Sequence, residues 1–384
     1  MSNLQALFQP LKLGPITLKN RIFMSALTRN RAVPTNVPND LNAEYYRQRA
    51  AGGAGLIITE GVLIAQQGTE WQNAPGLWVQ EQVKGWKKVT DAVHEEGSAI
   101  FAQLWHVGRV SHPDAPEQIA SGQPVYAPSA ISARGGKFRF LPGEPGYVTP
   151  TAIDDPRTLL AQWKQAAVNA KEAGFDGVEI HGANGYLVHQ FLDSTANHRT
   201  DHWGGSVQNR ARFALEVVKA AVEIWGADRV GIKLNPAGGY NDVGMPLKET
   251  VDTFSYLISE LDKLGIAYVA LVRYAEQLDP VIDGARRGTK HDILSTYAPL
   301  LRNPATRVFA NSGFTGEEAA RYVEDGKVDG VFFGILWVAN PDFARRVEKS
   351  VALEGNIDFA SLFGHGGVEA DERKGYADYP AATF

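Results

Sequence analysis

The chain has no cysteine among its 384 residues, which excludes disulfides, thiolate metal sites and a cysteine nucleophile. Net charge is small, -5, with no block of like sign, so neither nucleic acid nor an anionic membrane finds an electrostatic partner. No apolar run is long enough to cross a bilayer. The opening stretch Met1-Ser-Asn-Leu-Gln-Ala-Leu-Phe8 lacks a basic region ahead of an apolar core, so no signal peptide is expected. The closing Ala-Ala-Thr-Phe384 is neither a prenylation motif nor an ER-retention signal. These absences predict a cytoplasmic enzyme. No Gly-x-Gly-x-x-Gly motif follows a strand, so no separate dinucleotide-binding domain is expected.

What is present is a regular alternation. Eight short, mostly apolar runs read as parallel strands buried on both faces. They are 21–25, 55–59, 99–104, 177–181, 230–234, 268–272, 307–311 and 330–334. Amphipathic segments lie between them at 80–96, 156–173, 207–225, 247–264 and 315–325. In the second, Trp163, Ala166, Ala167 and Ala170 form a helical stripe, with Lys164, Lys171 and Glu172 on the other side. Eight strand–helix alternations predict a closed (β/α)₈ TIM barrel in place of a doubly wound sheet. A bare barrel needs about 250 residues, so the remainder is assigned to long loops at the C-terminal face of the strands and to terminal extensions. The largest is 105–154, rich in Gly, Pro and Ser. No repeat or domain boundary appears, so 1–384 reads as one domain.

Polar residues gather at the strand ends, where this barrel places its chemistry. The densest stretch is Gly177-Val-Glu-Ile-His181-Gly-Ala-Asn184-Gly-Tyr186, followed by His198-Arg-Thr-Asp-His-Trp-Gly-Gly205-Ser-Val-Gln-Asn209-Arg210. His181 and Asn184 leave the fourth strand three positions apart, and both can donate toward one point. A satisfied core histidine, a turn asparagine and a packing tyrosine are the plainer alternatives for these three residues.

Further pieces are Asn20-Arg-Ile-Phe-Met-Ser-Ala-Leu-Thr28-Arg29, Ile58-Thr-Glu-Gly61, Asn73-Ala-Pro-Gly-Leu-Trp78 and Ala102-Gln103-Leu-Trp105. From Phe8-Gln-Pro-Leu to Gly375-Tyr-Ala-Asp-Tyr-Pro380, the chain resembles the Old Yellow Enzyme family of FMN-dependent ene reductases. The resemblance implies FMN as cofactor, NADPH or NADH as reductant, and an activated alkene as substrate. It implies that His181 and Asn184 hold the carbonyl or nitro oxygen, on which charge builds as hydride adds at the β-carbon. Tyr186 is implied as proton donor to the α-carbon; a phenol, with a reference pKa of about 10, is protonated at neutral pH. For the flavin, the resemblance implies Thr28, Gly61, Gln103 and the fifth-strand residue Lys233, with Asn311, Ser312, Gly313, Gly334 and Ile335 around the phosphate. Trp71, Trp105, Tyr274 and Phe363 are the expected pocket walls.

Three positions depart from the family pattern. Lys233 stands where an arginine is usual, keeping the charge but losing the planar fork. Ile335 replaces the arginine expected to clamp the FMN phosphate, and Arg287 or Lys290 is expected to supply the missing charge. Phe363 replaces a tyrosine. The competing readings are a non-redox barrel isomerase or lyase using Lys233 as a Schiff-base amine, and a catalytically silent binding protein. A monomer and a homodimer are equally compatible with the sequence.

Overall fold

The protein is described here by a computed structural model covering residues 4–135, 146–364 and 371–384. Eight parallel strands close into a barrel in chain order. They are β1 (Ile22–Met24), β2 (Leu56–Leu63), β3 (Ala99–Trp105), β4 (Gly177–Gly182), β5 (Val230–Leu234), β6 (Tyr268–Val272), β7 (Arg307–Asn311) and β8 (Gly330–Phe333). The barrel closes where β8 pairs with β1, Phe332 opposite Phe23. β5, β6 and β7 carry the bounds expected from sequence. β2 departs most, because it runs on past Thr59 through a register shift between Ile58 and Gly61.

The principal outer helices are α1 (Asp40–Ala51), α2 (Gln80–Glu95), α3 (Arg157–Glu172), α4 (Val207–Trp225), α5 (Leu247–Leu264), α6 (Ile293–Tyr297), α7 (Gly316–Glu324) and α8 (Phe343–Lys349). The apolar stripes of α2 to α5 and α7 make them readable from sequence. Helix α1 has no such stripe: its buried face is Asn42, Tyr45, Tyr46, Arg49 and Ala50. Its start is marked instead by a capping box, in which the Asn39 side chain accepts from the Asn42 amide and the Asn42 side chain accepts from the Asn39 amide. None of the helices among the described residues is long and apolar enough to cross a membrane.

Inside the barrel, Phe23, Phe101, Tyr268, Phe309 and Phe332 fill the N-terminal half. A glycine opposite makes room for the largest of them: a Cβ at Gly231 would lie 2.2 Å from the Tyr268 ring. A hairpin of Leu11–Leu13 and Ile16–Leu18 places Leu11, Leu13 and Leu18 in the same cluster and stops that end of the barrel. With that end filled, open space and polar side chains are left to the C-terminal ends of the strands.

Candidate active site

The floor of the site is a buried polar layer above the aromatic plug. Register sets it: Gln103 pairs with Glu179 between β3 and β4, and His181 pairs with Lys233 between β4 and β5. Gln103 Nε2 donates to Glu179 Oε1 at 2.7 Å, and the Tyr268 hydroxyl donates to Glu179 Oε2 at 2.9 Å. Burial raises the Glu179 carboxyl above the usual carboxylate range, opposed by nearby Lys233 and by these two donors. Across the barrel, Lys233 Nζ donates to Ser25 Oγ at 2.9 Å, and Ser25 in turn contacts Asn311 Oδ1 at 3.4 Å. Burial lowers the Lys233 ammonium pKa and Glu179 opposes that shift.

Above this floor, His181 is the last inward residue of β4 before the chain turns. Its Nδ1 accepts from the Ala183 amide at 3.4 Å, which leaves the proton on Nε2. Burial, then Lys233 and His189, push its pKa well below the ordinary imidazole value, so the ring is neutral and a donor through Nε2. Asn184 sits in the left-handed region at φ 58°, a conformation asparagine tolerates better than most residues. Its backbone oxygen accepts from Asn241 Nδ2 at 2.9 Å, and its Oδ1 accepts from Asn235 Nδ2 at 3.2 Å. With the oxygen engaged, the Asn184 amide nitrogen donates to no partner among the described residues. Both donors are thereby oriented by their neighbours.

Tyr186 is 7% exposed, with its ring 5.0 Å from the His181 ring and 4.9 Å from Trp105, edge-on to both. Trp71, Trp105 and Tyr186 belong to one apolar cluster, against which Phe363 and Tyr147 pack. The Trp71 and Phe363 rings are 4.6 Å apart. Tyr147 was not anticipated; its hydroxyl contacts Glu70 at 3.2 Å. Tyr274 lies elsewhere. Its hydroxyl donates to Asp279 at 2.9 Å and its ring faces Lys290, in a cleft beside β6 and β7.

Gly61 and Arg287 have neighbours of their own. At Gly61, expected to let backbone approach the flavin, a Cβ would lie 2.4 Å from Trp105 Cε3. The missing side chain makes room for the indole. Arg287 was expected to reach the phosphate, yet its guanidinium is held by Asp242, Gly244 and Thr195, none of them on the loops after β7 and β8. Nε donates to Asp242 at 2.7 Å, Nη1 to the Gly244 carbonyl at 2.5 Å and Nη2 to Thr195 at 2.7 Å. Ile335 itself is 39% exposed at the start of a short helix after β8.

Thr28, half-buried, rides on the segment after β1. That segment is fixed by the β2 irregularity. Glu60 turns its carboxylate to accept from the Arg29 and Asn30 amides, both at 2.9 Å, while its own amide donates to Tyr46 on α1. Ser25, Glu60, Glu179 and Asn235 thus help to build the site in roles that the sequence did not assign them. Glu179 alone carried a signal, a carboxylate in the middle of an apolar strand.

The donor set suits a flavin ring. Gln103 Oε1 accepts no bond among the described residues, which suits a ring N–H. Lys233 keeps two of its three N–H groups for an electron-rich edge. The chain matches the NADH:flavin oxidoreductase / NADH oxidase family over residues 6–354. It is 36% identical to the aldehyde reductase FrzD of Cladobotryum sp over 386 aligned residues, covering all of this chain and 96% of the relative. It is 38% identical to a putative 12-oxophytodienoate reductase 3 of Oryza sativa subsp. japonica, over 97% of this chain and 92% of that one. Among solved structures, the old yellow enzyme homologue from Zymomonas mobilis superposes with a TM-score of 0.85 at 35% identity, covering 98% and 99% of the two chains. Morphinone reductase gives 0.84 at 37% identity over 98% and 96%, and has also been solved with tetrahydroNAD. The chain belongs to the Old Yellow Enzyme family and is an FMN-containing, NAD(P)H-dependent flavin oxidoreductase.

Proposed function

We propose that the protein is an ene reductase acting on α,β-unsaturated carbonyl or nitro compounds. The observation that carries this reading is the paired, pre-oriented donors His181 Nε2 and Asn184 Nδ2 beside the Tyr186 ring. FMN, when bound, relays hydride from the nicotinamide to the substrate β-carbon. His181 and Asn184 hold the substrate oxygen, and their bonds strengthen as negative charge builds there. Because His181 is neutral, it stabilises that oxygen by a hydrogen bond without handing over a proton. Tyr186 delivers its hydroxyl proton to the α-carbon and recovers it from solvent. Trp71, Trp105 and Phe363 wall the pocket and exclude water, which strengthens both donors. Lys233, held by Ser25, would face the flavin's electron-rich edge and is not assigned a Schiff-base role. The reductase names carried by the two relatives and by morphinone reductase support the reading.

The test separates the two half-reactions. Wild-type protein and Tyr186→Phe are reduced anaerobically with NADPH or NADH and then mixed with a cyclic enone, following the flavin absorbance. We expect equal rates of flavin reduction, and re-oxidation by enone slowed about 10²- to 10⁴-fold in the variant. A wild-type protein whose reduced flavin ignores enones and nitroalkenes would overturn the proposal.

A further inference from the structure

Loss of the arginine at 335 leaves a question of charge: what cation faces a phosphate ester bound over the loops after β7 and β8? The corner between β6 and β7 supplies one. A cleft of about 640 Å³ opens there, with Arg273, Tyr274, Lys290, His291, Ser312 and Gly313 among its lining residues. Arg273 follows β6 directly, and its amide donates to the Asn311 carbonyl at 3.0 Å. The guanidinium then reaches the β7 loop, where Nε donates to the Ser312 carbonyl at 3.0 Å. It lies 3.6 Å from the Phe314 ring centroid and forks onto Glu318 at 2.7 and 3.1 Å. These bonds use three of its five N–H groups and fix its plane. A Cβ at Gly313 would be 3.5 Å from Nη2, an ordinary contact distance, which places the guanidinium directly beside that loop.

Other charges in the cleft are occupied. Glu276 pairs with Arg286 at 2.6 Å, and Asp292 accepts from the Ser295 amide and hydroxyl at 3.1 and 2.8 Å. His291 spends both ring nitrogens on the Thr289 carbonyl and the Tyr297 hydroxyl. The Lys290 ammonium lies 5.4 Å from the Tyr274 ring centroid and has no hydrogen-bond or ion-pair partner among the described residues. A second cation therefore stands ready across the cleft from the first.

We propose that Arg273, with Lys290, binds the phosphomonoester of FMN in place of the missing arginine. Glu318 acts as the positioning residue, aiming the guanidinium at the Ser312–Gly313 loop. The proposal rests on FMN being the cofactor. The same dianion chemistry occurs on the 2′-phosphate of NADPH. FMN is favoured because the guanidinium touches the β7 loop, one of the two loops where this barrel usually holds a phosphate.

The experiment strips the flavin and titrates FMN and riboflavin into wild type, Arg273→Gln and Lys290→Gln by fluorescence quenching. Riboflavin lacks the phosphate, so its affinity reports an intact ring site. We expect Arg273→Gln to weaken FMN roughly ten- to hundredfold with riboflavin unchanged, and Lys290→Gln to weaken FMN several-fold. Adding Ile335→Arg to Arg273→Gln should restore the preference for FMN. If Arg273→Gln does not fold, exposed Lys290 decides. An unchanged FMN-to-riboflavin ratio in the folded variants overturns the proposal, including the case where only the NADPH-to-NADH preference moves. A wild-type protein that binds neither flavin would instead defeat the cofactor assignment beneath it.

Discussion

Asn184 can present its amide nitrogen to a substrate because Asn235 and Asn241 hold the rest of the residue. Removing Asn235 should therefore injure catalysis without touching a reacting atom. In Asn235→Ala the Asn184 amide rotates freely, and half of its orientations present oxygen to the developing oxyanion. We expect kcat with an enone to fall about tenfold, with flavin reduction by NAD(P)H unchanged, because losing one well-aimed donor costs on the order of 1–2 kcal/mol. Equal loss in both half-reactions would mean a general collapse of the site. At this scale the sequence marks the groups proposed to face the substrate and not those that aim them. His181, Asn184 and Tyr186 were marked by type and position at a strand end. Asn235 and Ser25 lie on other strands, and their roles exist only because the closed barrel brings β5 and β1 toward β4 and β7.

The C-terminal segment is held to the barrel by buried arginines in an arrangement no periodicity announces. Arg31 donates to the carbonyls of Glu372, Arg29, Leu362, Ser361 and Lys374. Arg29 reaches Leu362 and Gly375, and Arg49 on α1 reaches Tyr376. Tyr376 stacks on Tyr45 of α1 at 4.0 Å. This stitching carries Phe363, whose carbonyl accepts from Asn30 Nδ2, to its place against Trp71. Arg31→Ala would strip donors from five carbonyls and leave Glu372 without its 3.5 Å ion pair. We expect a loss of about 3–5 kcal/mol of stability, faster amide exchange in 361–364 and 371–377, and a raised KM for the enone as the Phe363 wall loosens. Exchange in α3 and α4 should stay near wild type; uniform acceleration would show that the tail is not a separable element. The same network explains why α1 escaped detection: its inward face is aromatic and polar, satisfied by the tail and by Glu60 instead of by apolar packing.

For the molecule as a whole, three of the buried histidines contribute to the response to acid. Burial holds His181 well below its ordinary pKa, lowers His106 to about 3, and lowers His189 to about 4 despite the opposing charge of Asp193. In the unfolded chain each takes up a proton near pH 6.5. Below that pH the unfolded state binds more protons than the native state, so stability falls as pH drops. For His189 the loss continues to about pH 4, and for His106 to about pH 3. Each contributes up to a tenfold change in the folding equilibrium per pH unit. Glu60 and Glu179, raised by burial, act in the opposite sense. His106→Gln isolates one histidine: it removes the imidazole that bonds Gln67 at 2.8 Å and the Gly108 amide at 3.0 Å. Urea unfolding at pH 7 and pH 5 should show a pH-dependence shallower by about one proton in the variant. An unchanged slope would mean that His106 titrates normally.

The architecture was determined by sequence alone, because a barrel strand must be apolar on both faces and its covering helix on one. That pattern is local and periodic, as the matching bounds of β5, β6, β7, α4 and α5 show. The identities of His181, Asn184, Tyr186, Gln103 and Lys233 were equally legible, since polar groups at the ends of such strands break the pattern. Tertiary structure decided everything that depends on which groups meet across the barrel. It set Gly61 against Trp105, joined Tyr274 to Asp279 and committed Arg287 to Asp242. It also brought Arg273 from the end of β6 onto the loop after β7. Hydrogen bonds and charges act over a few ångströms of space, and residues forty or three hundred positions apart become neighbours only once the sheet has closed.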